Sequence, residues 1–482
     1  MSGSALSRMT AIASDEHRQA RVETGTGSLG YDRSVIDYTL PLDELPDPLS
    51  IEPLSKPFDV TITPPGSKSI TCRAYVLAAL ADGESKIIGP LRADDTDKLL
   101  DALCTRGAEA RWDGADVYIK GVNGRFPRGG EVNLGDGGAP TRFMIACACL
   151  AAESVVVDGS KRMRERPIAE GVDMLRKLGA TIEYVEEEGR LPVRVVPSVG
   201  FKGGNLAIGE TASSQSVSAV ILLAPFLRHG LEWHYLDEAR VTSSLYLALT
   251  CAVLARWGIE LGTTGNKKMG YRGKIEFQGL LAGSFSVAPD ASSAIYWKVA
   301  TCLVQQSRLL MTNASLSPYQ PDNRATESLT ATGLITEKNL VQDARESSEY
   351  CSRKNKMRGI KSDCSNFPDA SLTLAVLAST GKKTSRLTGL RTLRHKETDR
   401  IAALANELRK IGCTIETTDD SITIDPSTRH DDPVVIETYN DHRMAMAFGV
   451  LGLARPGISI SNPACVSKSY PTFWRDFAKL YQ

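Results

Sequence analysis

The stretch GVDMLRKLGATIEY, from Gly171 to Tyr184, reads as an apolar helix that stops at a glycine and turns into a short β-branched strand. The same phrase returns as LLDALCTRGAEARW (Leu99–Trp112), CAVLARWGIEL (Cys251–Leu261), ESLTATGLIT (Glu327–Thr336) and ANELRKIGCTIE (Ala405–Glu416). Its glycines are Gly107, Gly179, Gly258, Gly333 and Gly412, at spacings of 72, 79, 75 and 79 residues. Glycine suits the left-handed position that ends a helix, and the strand that follows returns the chain to a sheet. The closing PTFWRDFAKLYQ (Pro471–Gln482) is a sixth copy without its strand. A period near 75 is too long for short-repeat solenoids, whose units reach about 50 residues. The pattern predicts an α/β protein of six units, clustered as two groups of three.

With 482 residues, 42% hydrophobic and 6% aromatic, the chain has material for two or three cores. Lys plus Arg and Asp plus Glu both number 57, so no protein-wide basic field favours a nucleic acid, and anions must be gripped locally. The ten cysteines form no C-x-x-C pair and sit mostly in apolar runs, which points to reduced thiols and a cytoplasmic setting. No apolar run has the length of a membrane span. Residues 1–55 are polar and read as a flexible or loosely docked extension, with organelle targeting left open.

Charge, hydroxyls and glycine interrupt the apolar rhythm at a few places, where chemistry is expected. PPGSKSITCR (Pro64–Arg73) is not a Walker loop, because Ser67 separates Gly66 from Lys68. Its turn and cations suit either an anion site at a helix start or a solvated basic end. LGDGGAPTRF (Leu134–Phe143) brings backbone close to whatever faces it, or is an ordinary strand-to-helix turn. KRMRERPI (Lys161–Ile168) suits bidentate anion recognition or a solvated face. Ser213, Ser214 and Gln215 precede an apolar helix, as phosphate ligands or as caps. Lys396 and Arg400 share one face of a helix in RHKETDRIAALANELRK, a repulsion that an anion would relieve, and Asp441, His442 and Arg443 open another helix.

Taken in order, PPGSKSITCR, KRMRERPI, SSQ, FPDASLTLA, HKETDRI, NDHRMAM and SKSYPTFW resemble the 5-enolpyruvylshikimate-3-phosphate synthase family from about Phe58 to the C-terminus. The resemblance implies a two-domain enolpyruvyl transferase-like fold, each domain of three βαβαββ-like repeats, with the active site in the interdomain cleft. One domain would span 67–286 and the other 56–66 plus 287–482, with a hinge near 65–67 and 286–288. It implies transfer of the enolpyruvyl group of phosphoenolpyruvate to the 5-hydroxyl of shikimate 3-phosphate by a monomer with no metal or other cofactor. Ser213, Ser214, Ser243 and Lys396 would hold the shikimate 3-phosphate, Gln215 and Tyr246 its ring, and Ser69 and Arg73 its carboxylate, with Thr392 nearby. Lys68, Arg162, Arg400, Arg443 and Lys468 would surround phosphoenolpyruvate, beside Gly138. Asp369 and Glu397 would move protons, with Lys68 and His442 polarising the intermediate; which carboxylate moves which proton stays open.

Two departures from the family pattern stand out. The glycine-rich loop, usually L-G-N-A-G-T-A-x-R, here carries Asp136 for the asparagine and Ala139 for the threonine, and Thr392 replaces a common asparagine. An aspartate there would repel an anion unless turned away or paired. Reduced sensitivity to glyphosate, the family's phosphoenolpyruvate competitor, is therefore expected. The rival UDP-N-acetylglucosamine enolpyruvyl transferases favour lysine–asparagine where this chain has Lys68–Ser69, and lack SSQ and KETDR. A noncatalytic binder on the same fold is opposed by Lys68, Asp369, Glu397, Arg400 and Lys468 being present.

Overall fold

The computed structural model describes residues 36–237, 241–262, 272–312, 319–342, 345–354 and 357–482. All five repeat glycines take the left-handed backbone, with φ of +128° at Gly107, +97° at Gly179, +81° at Gly258, +71° at Gly333 and +85° at Gly412. After four of them a strand begins two residues later, at Glu109, Thr181, Ile335 and Thr414. Among the described residues after Gly258, Gly262 forms an isolated bridge to Lys274.

Among the described residues the strands form six small sheets built on one rule, a parallel pair followed by antiparallel pairing. In the first, Ser284–Ser286 runs parallel to Glu84–Ile88, and Asp116–Lys120 and Glu109–Asp113 follow antiparallel. Gly130–Asn133 with Val155–Asp158, Lys361–Asp363 with Ser385–Thr388, and Asp59–Ile62 with Arg308–Met311 start three more four-stranded copies. Two sheets have three strands, begun by Gly204–Ile208 with Leu231–Tyr235 and by Val434–Ile436 with Ile458–Ile460. Three sheets lie between residues 84 and 286, and the other three take their strands from 49–62 and 308–460.

Each unit has an inner helix that is apolar on every side and nearly all buried: Lys68–Leu80, Gly138–Ala148 and Ser214–Leu223, then Ala291–Leu303, Ser371–Ser379 and His442–Gly452. The first three pack on one another, as do the second three. Outer helices such as Asp94–Thr105 and Arg400–Lys410 bury only one face, as expected for helices against solvent. One continuous core has all its buried members between Ile70 and Val287. The two passages into and out of that stretch run side by side: Gly66 bridges Pro289, Ser67 N–H donates to the Ala288 carbonyl at 2.9 Å, and Asp290 N–H to that of Pro65 at 2.8 Å. Among the described residues no helix is long and apolar enough to cross a membrane.

The extension differs from the sequence-based expectation. Residues 1–35 lie outside the described residues, but Asp37 onward is not loosely docked. Leu49–Ile51 adds an antiparallel edge strand to Ile458–Ile460, burying Leu49 and Ile51. Tyr38 packs against Phe477 and Tyr481 with ring centroids 5.3 and 5.4 Å away, and its hydroxyl accepts from Glu52 N–H at 2.9 Å. Two buried aliphatic side chains and an aromatic ring fix a segment whose composition alone reads as solvated.

Candidate active site

All six inner helices begin at one cavity. Its walls include Lys68 and Ser69, Gly138 and Ala139, Ser213 to Gln215, Asp290 and Ser292, Asp369, and Arg443, each in the first turn of one of those helices or just ahead of it. Six positive dipole ends thus face a single space. Three starts are capped internally: Ser213 accepts from Gln215 N–H at 3.2 Å, Asp290 from Ser293 N–H at 2.9 Å and Asp441 from Arg443 N–H at 2.9 Å. No side chain caps the helices that open at Lys68 and Gly138, which leaves their amides for an external anion.

One wall is a buried charge lattice centred on Arg400, whose side chain is 1% exposed. Its Nη1 donates to Asp369 at 2.8 Å, its Nη2 to Glu397 at 2.9 Å, and its Nε to Asp441 at 2.6 Å. Asp369 also meets Lys396 at 3.3 Å and Arg443 at 3.2 Å. Burial raises the Asp369 carboxyl, but Lys396, Arg443 and Arg400 outweigh it and hold the group below the ordinary carboxylate range. Burial likewise opposes ionisation of Glu397, yet Arg400 and Lys468 keep its pKa well depressed. Lys468 lies 3.8 Å from Glu397 and 3.3 Å from Asp95, and Lys68 lies 3.0 Å from Asp95.

The rest of the lining is rich in hydroxyls. Ser213, Ser214, Ser243 and Tyr246 belong to it together with Thr392 and Lys396. Arg142 donates to the Gln215 amide oxygen at 3.1 Å, turning the amide NH2 toward any acceptor in the cavity. Arg73 is held by Thr250 at 2.9 Å and the Ser69 carbonyl at 2.7 Å. The Thr392 hydroxyl and Arg166 Nε are buried without a partner, donors that an anionic ligand would satisfy. Among the described residues no cluster of three or more His, Cys, Asp or Glu side chains has the geometry to hold a metal ion.

The family model for EPSP synthase (3-phosphoshikimate 1-carboxyvinyltransferase) matches residues 54–477, the stretch that builds all of these walls. The chain belongs to the EPSP synthase family. The 3-phosphoshikimate 1-carboxyvinyltransferase of Methanoculleus marisnigri is 34% identical over 420 residues, covering 87% of this chain and 96% of that protein. The enzyme of that name from Laribacter hongkongensis is 35% identical over 423 residues, with 87% and 96% covered. EPSP synthase from Acinetobacter baumannii superposes with a TM-score of 0.72 at 24% identity, over 89% of this chain and 97% of that one. The enolpyruvyl transferase NikO from Streptomyces tendae gives 0.70 at 15%, over 90% and 98%. The fold is the two-domain enolpyruvyl transferase one.

Of the residues read from the sequence as an EPSP synthase site, Lys68, Ser69, Arg73, Gly138, Ser213, Ser214, Gln215, Ser243, Tyr246, Asp369, Thr392, Lys396, Glu397 and Arg443 line the cavity. Arg400, Lys468 and His442 stand behind its surface. Arg400 and Lys468 reach the site through Asp369, Glu397 and Asp95. His442 is fully buried, and burial together with Lys68 and Arg443 keeps it neutral, well below its usual pKa. Arg162 is a correction. Its guanidinium turns to the Lys396 carbonyl at 3.1 Å and to Glu165 at 2.8 Å, whereas Arg166 of the same motif lines the cavity. The short helix Lys161–Glu165 ends before Arg166, and Pro167 directs the chain onward, so the two arginines leave on different sides. Sequence reasoning also missed Arg142 and Asp95; three acids in the first turn of Asp94–Thr105 read as ordinary dipole complements.

Asp136 meets the exception foreseen for it, its carboxylate being paired. Its carboxylate accepts from Ser160 Oγ and from Asn440 at 3.5 Å, while only its backbone carbonyl meets Arg166, at 3.3 Å. The loop residues that face the cavity are Gly138 and Ala139.

Proposed function

We propose that this chain transfers the enolpyruvyl group of phosphoenolpyruvate to the 5-hydroxyl of shikimate 3-phosphate, releasing phosphate, and that the cavity just described is where it does so. The observation that carries the assignment of residues is the lattice in which Arg400 holds Asp369 and Glu397 in a cavity that Ser213, Ser214 and Ser243 also line. Ser213, Ser214, Ser243 and Lys396 take the shikimate phosphate, Gln215 and Tyr246 the ring, and Ser69 and Arg73 the carboxylate. Phosphoenolpyruvate lies against Lys68, Arg166 and Arg443, with Gly138 allowing close approach, and closure of the cleft brings Lys468 from behind the wall onto it. A Cβ on Gly138 would sit 2.5 Å from Arg166 Nη2, so alanine there would displace that guanidinium.

In the addition step the 5-hydroxyl oxygen bonds to C2 of the enol, its proton leaving, while the methylene carbon gains a proton. Elimination then removes a methyl proton and expels phosphate. Asp369 suits the hydroxyl proton, because three cations keep it ionised in the free site and an anionic substrate that engages Lys396 and Arg443 restores its basicity. Glu397 suits the carbon proton. Arg400 and Lys468 are the largest of the charges that depress it, and a donor phosphate that engages Lys468 weakens one of them, which raises the carboxyl toward protonation. Neutral His442 and cationic Lys68 stand beside the developing charge.

The same reading makes 67–286 one domain and 56–66 with 287–482 the other, closing over the ligands about the paired passages at 65–67 and 286–288. It also keeps the expectation of a cytoplasmic monomer, and the ten free cysteines suit a reducing compartment. Phosphate release that requires both substrates, followed in a coupled assay, is the expected result; release from phosphoenolpyruvate alone would refute it.

The two arginines of KRMRERPI give a sharper check. Arg166→Ala should raise KM for phosphoenolpyruvate by at least about tenfold, as for loss of a charge-assisted contact worth roughly 1.5–3 kcal/mol. Arg162→Ala should stay within about threefold, since its partners are Glu165 and backbone carbonyls. Equal effects would show that the two are not distinguished.

Reduced glyphosate sensitivity remains part of the proposal, and its origin moves to Ala139. Ala139→Thr should tighten glyphosate inhibition by up to about tenfold with less change in phosphoenolpyruvate KM. Asp136→Asn should leave both nearly unchanged, its carboxylate being turned to Ser160. Inhibition constants that respond to Asp136 alone would contradict this.

A further inference from the structure

Asp95 stands where no substrate group has been placed. It is buried in the first turn of Asp94–Thr105, and its two oxygens are divided between two lysines: Oδ2 lies 3.0 Å from Lys68 Nζ and Oδ1 lies 3.3 Å from Lys468 Nζ. Lys68 opens the helix Lys68–Leu80, and Lys468 ends the turn Pro463–Lys468, so one carboxylate joins elements from the two ends of the chain. A second contact fastens the same elements, Ser467 Oγ donating to Asp94 Oδ2 at 2.6 Å. Helix capping does not explain Asp95, because the hydroxyl that receives the Ala93 N–H belongs to Thr96. A carboxylate so deeply buried needs both ammonium partners to stay ionised.

We propose that Asp95 is a positioning residue of the donor pocket, holding the ammonium groups of Lys68 and Lys468 at a fixed separation so that both meet phosphoenolpyruvate together. This rests on the reading of those lysines as donor ligands. The ionisable groups that face Asp95 are Lys68 and Cys72 from one helix, Arg166, Glu397 and Lys468. Without its charge, Lys68 and Lys468 would repel each other. Lys68 would also face Arg443 with only Glu397 in compensation. Burial lowers the Lys68 pKa, but Asp95 and Glu397 outweigh it and raise it above the usual lysine value. Losing Asp95 therefore moves deprotonation of Lys68 to lower pH.

A bare count of charge makes the opposite forecast: removing an anion from an anion site should tighten donor binding. Asp95→Asn therefore decides between them. The expected result is a KM for phosphoenolpyruvate about tenfold higher, a KM for shikimate 3-phosphate within about twofold, and the basic limb of kcat/KM for phosphoenolpyruvate shifted about one unit lower. Asp95→Glu, which keeps the charge, should return the basic limb most of the way. An unchanged or lower donor KM, or equal rises for both substrates, would overturn the role of Asp95. Lys68→Ala and Lys468→Ala test the donor reading separately. If they leave the donor KM unchanged, that reading falls and the proposal with it. If they raise it while Asp95→Asn matches wild type, only the role of Asp95 is overturned.

Discussion

Replacing Arg400 with methionine is expected to destabilise the fold by about 3–5 kcal/mol and to abolish turnover. The guanidinium is 1% exposed and shared by Asp369, Glu397 and Asp441, with four N–H···O contacts between 2.6 and 3.1 Å. Methionine fills a similar volume but leaves Asp441 and Glu397 as buried carboxylates without their main partner. Glu397 would be driven toward protonation, and Asp441, left without its guanidinium, would lose its grip on the start of His442–Gly452. Arg400→Lys keeps one charge and loses the planar fork, so it should recover only part of the stability, because a single ammonium cannot reach three carboxylates in three directions. Denaturant titration of the ligand-free protein checks both variants. A methionine variant as stable as the wild type would mean that the lattice contributes nothing to the fold, as replacement of some buried ion networks by apolar groups has that outcome.

The glycine phrase made the architecture legible because it reports a local backbone need, a left-handed turn between helix and strand, that each unit meets alone. The unit after Gly258 departs from that phrase: among its described residues Gly262 pairs with Lys274 in an isolated bridge rather than a strand. Leu49–Ile51 was missed because three residues cannot announce a strand whose partner is Ile458–Ile460. Cavity-lining residues announced themselves where charge or hydroxyls broke the apolar rhythm, as at Lys68, Ser214, Lys396 and Arg443. The choice between Arg162 and Arg166 was beyond the sequence, because four positions in a cation-rich turn separate a residue facing backbone carbonyls from one facing the cavity. Asp95 was hidden by its normality, an acid at a helix start, until its two lysine partners were seen.

Asp369→Asn and Glu397→Gln should each lower kcat by roughly 10²–10⁴-fold while changing both KM values far less. Both substitutions keep the size of the side chain and remove its capacity to carry the proton. At position 369 the loss of a negative charge also frees Lys396, Arg400 and Arg443, so an anionic substrate should bind at least as well as before. The two carboxylates should separate by pH. In the free enzyme the cations hold Asp369 ionised, so its base form persists on lowering the pH past the ordinary carboxylate value of about 3.9. The acid limb of kcat/KM should accordingly not lie near that value in the wild type. Glu397 works in the opposite sense: it is depressed in the free site and must gain a proton in the complex, so its pKa should appear in kcat rather than in kcat/KM. In Glu397→Gln that ionisation vanishes from the kcat profile, and solvent deuterium should no longer enter the methyl group of the intermediate at the wild-type rate. A Glu397→Gln enzyme with normal deuterium incorporation would pass the carbon proton to another acid, and a further carboxylate with a place on the wall, Asp290, would then be the group to replace next.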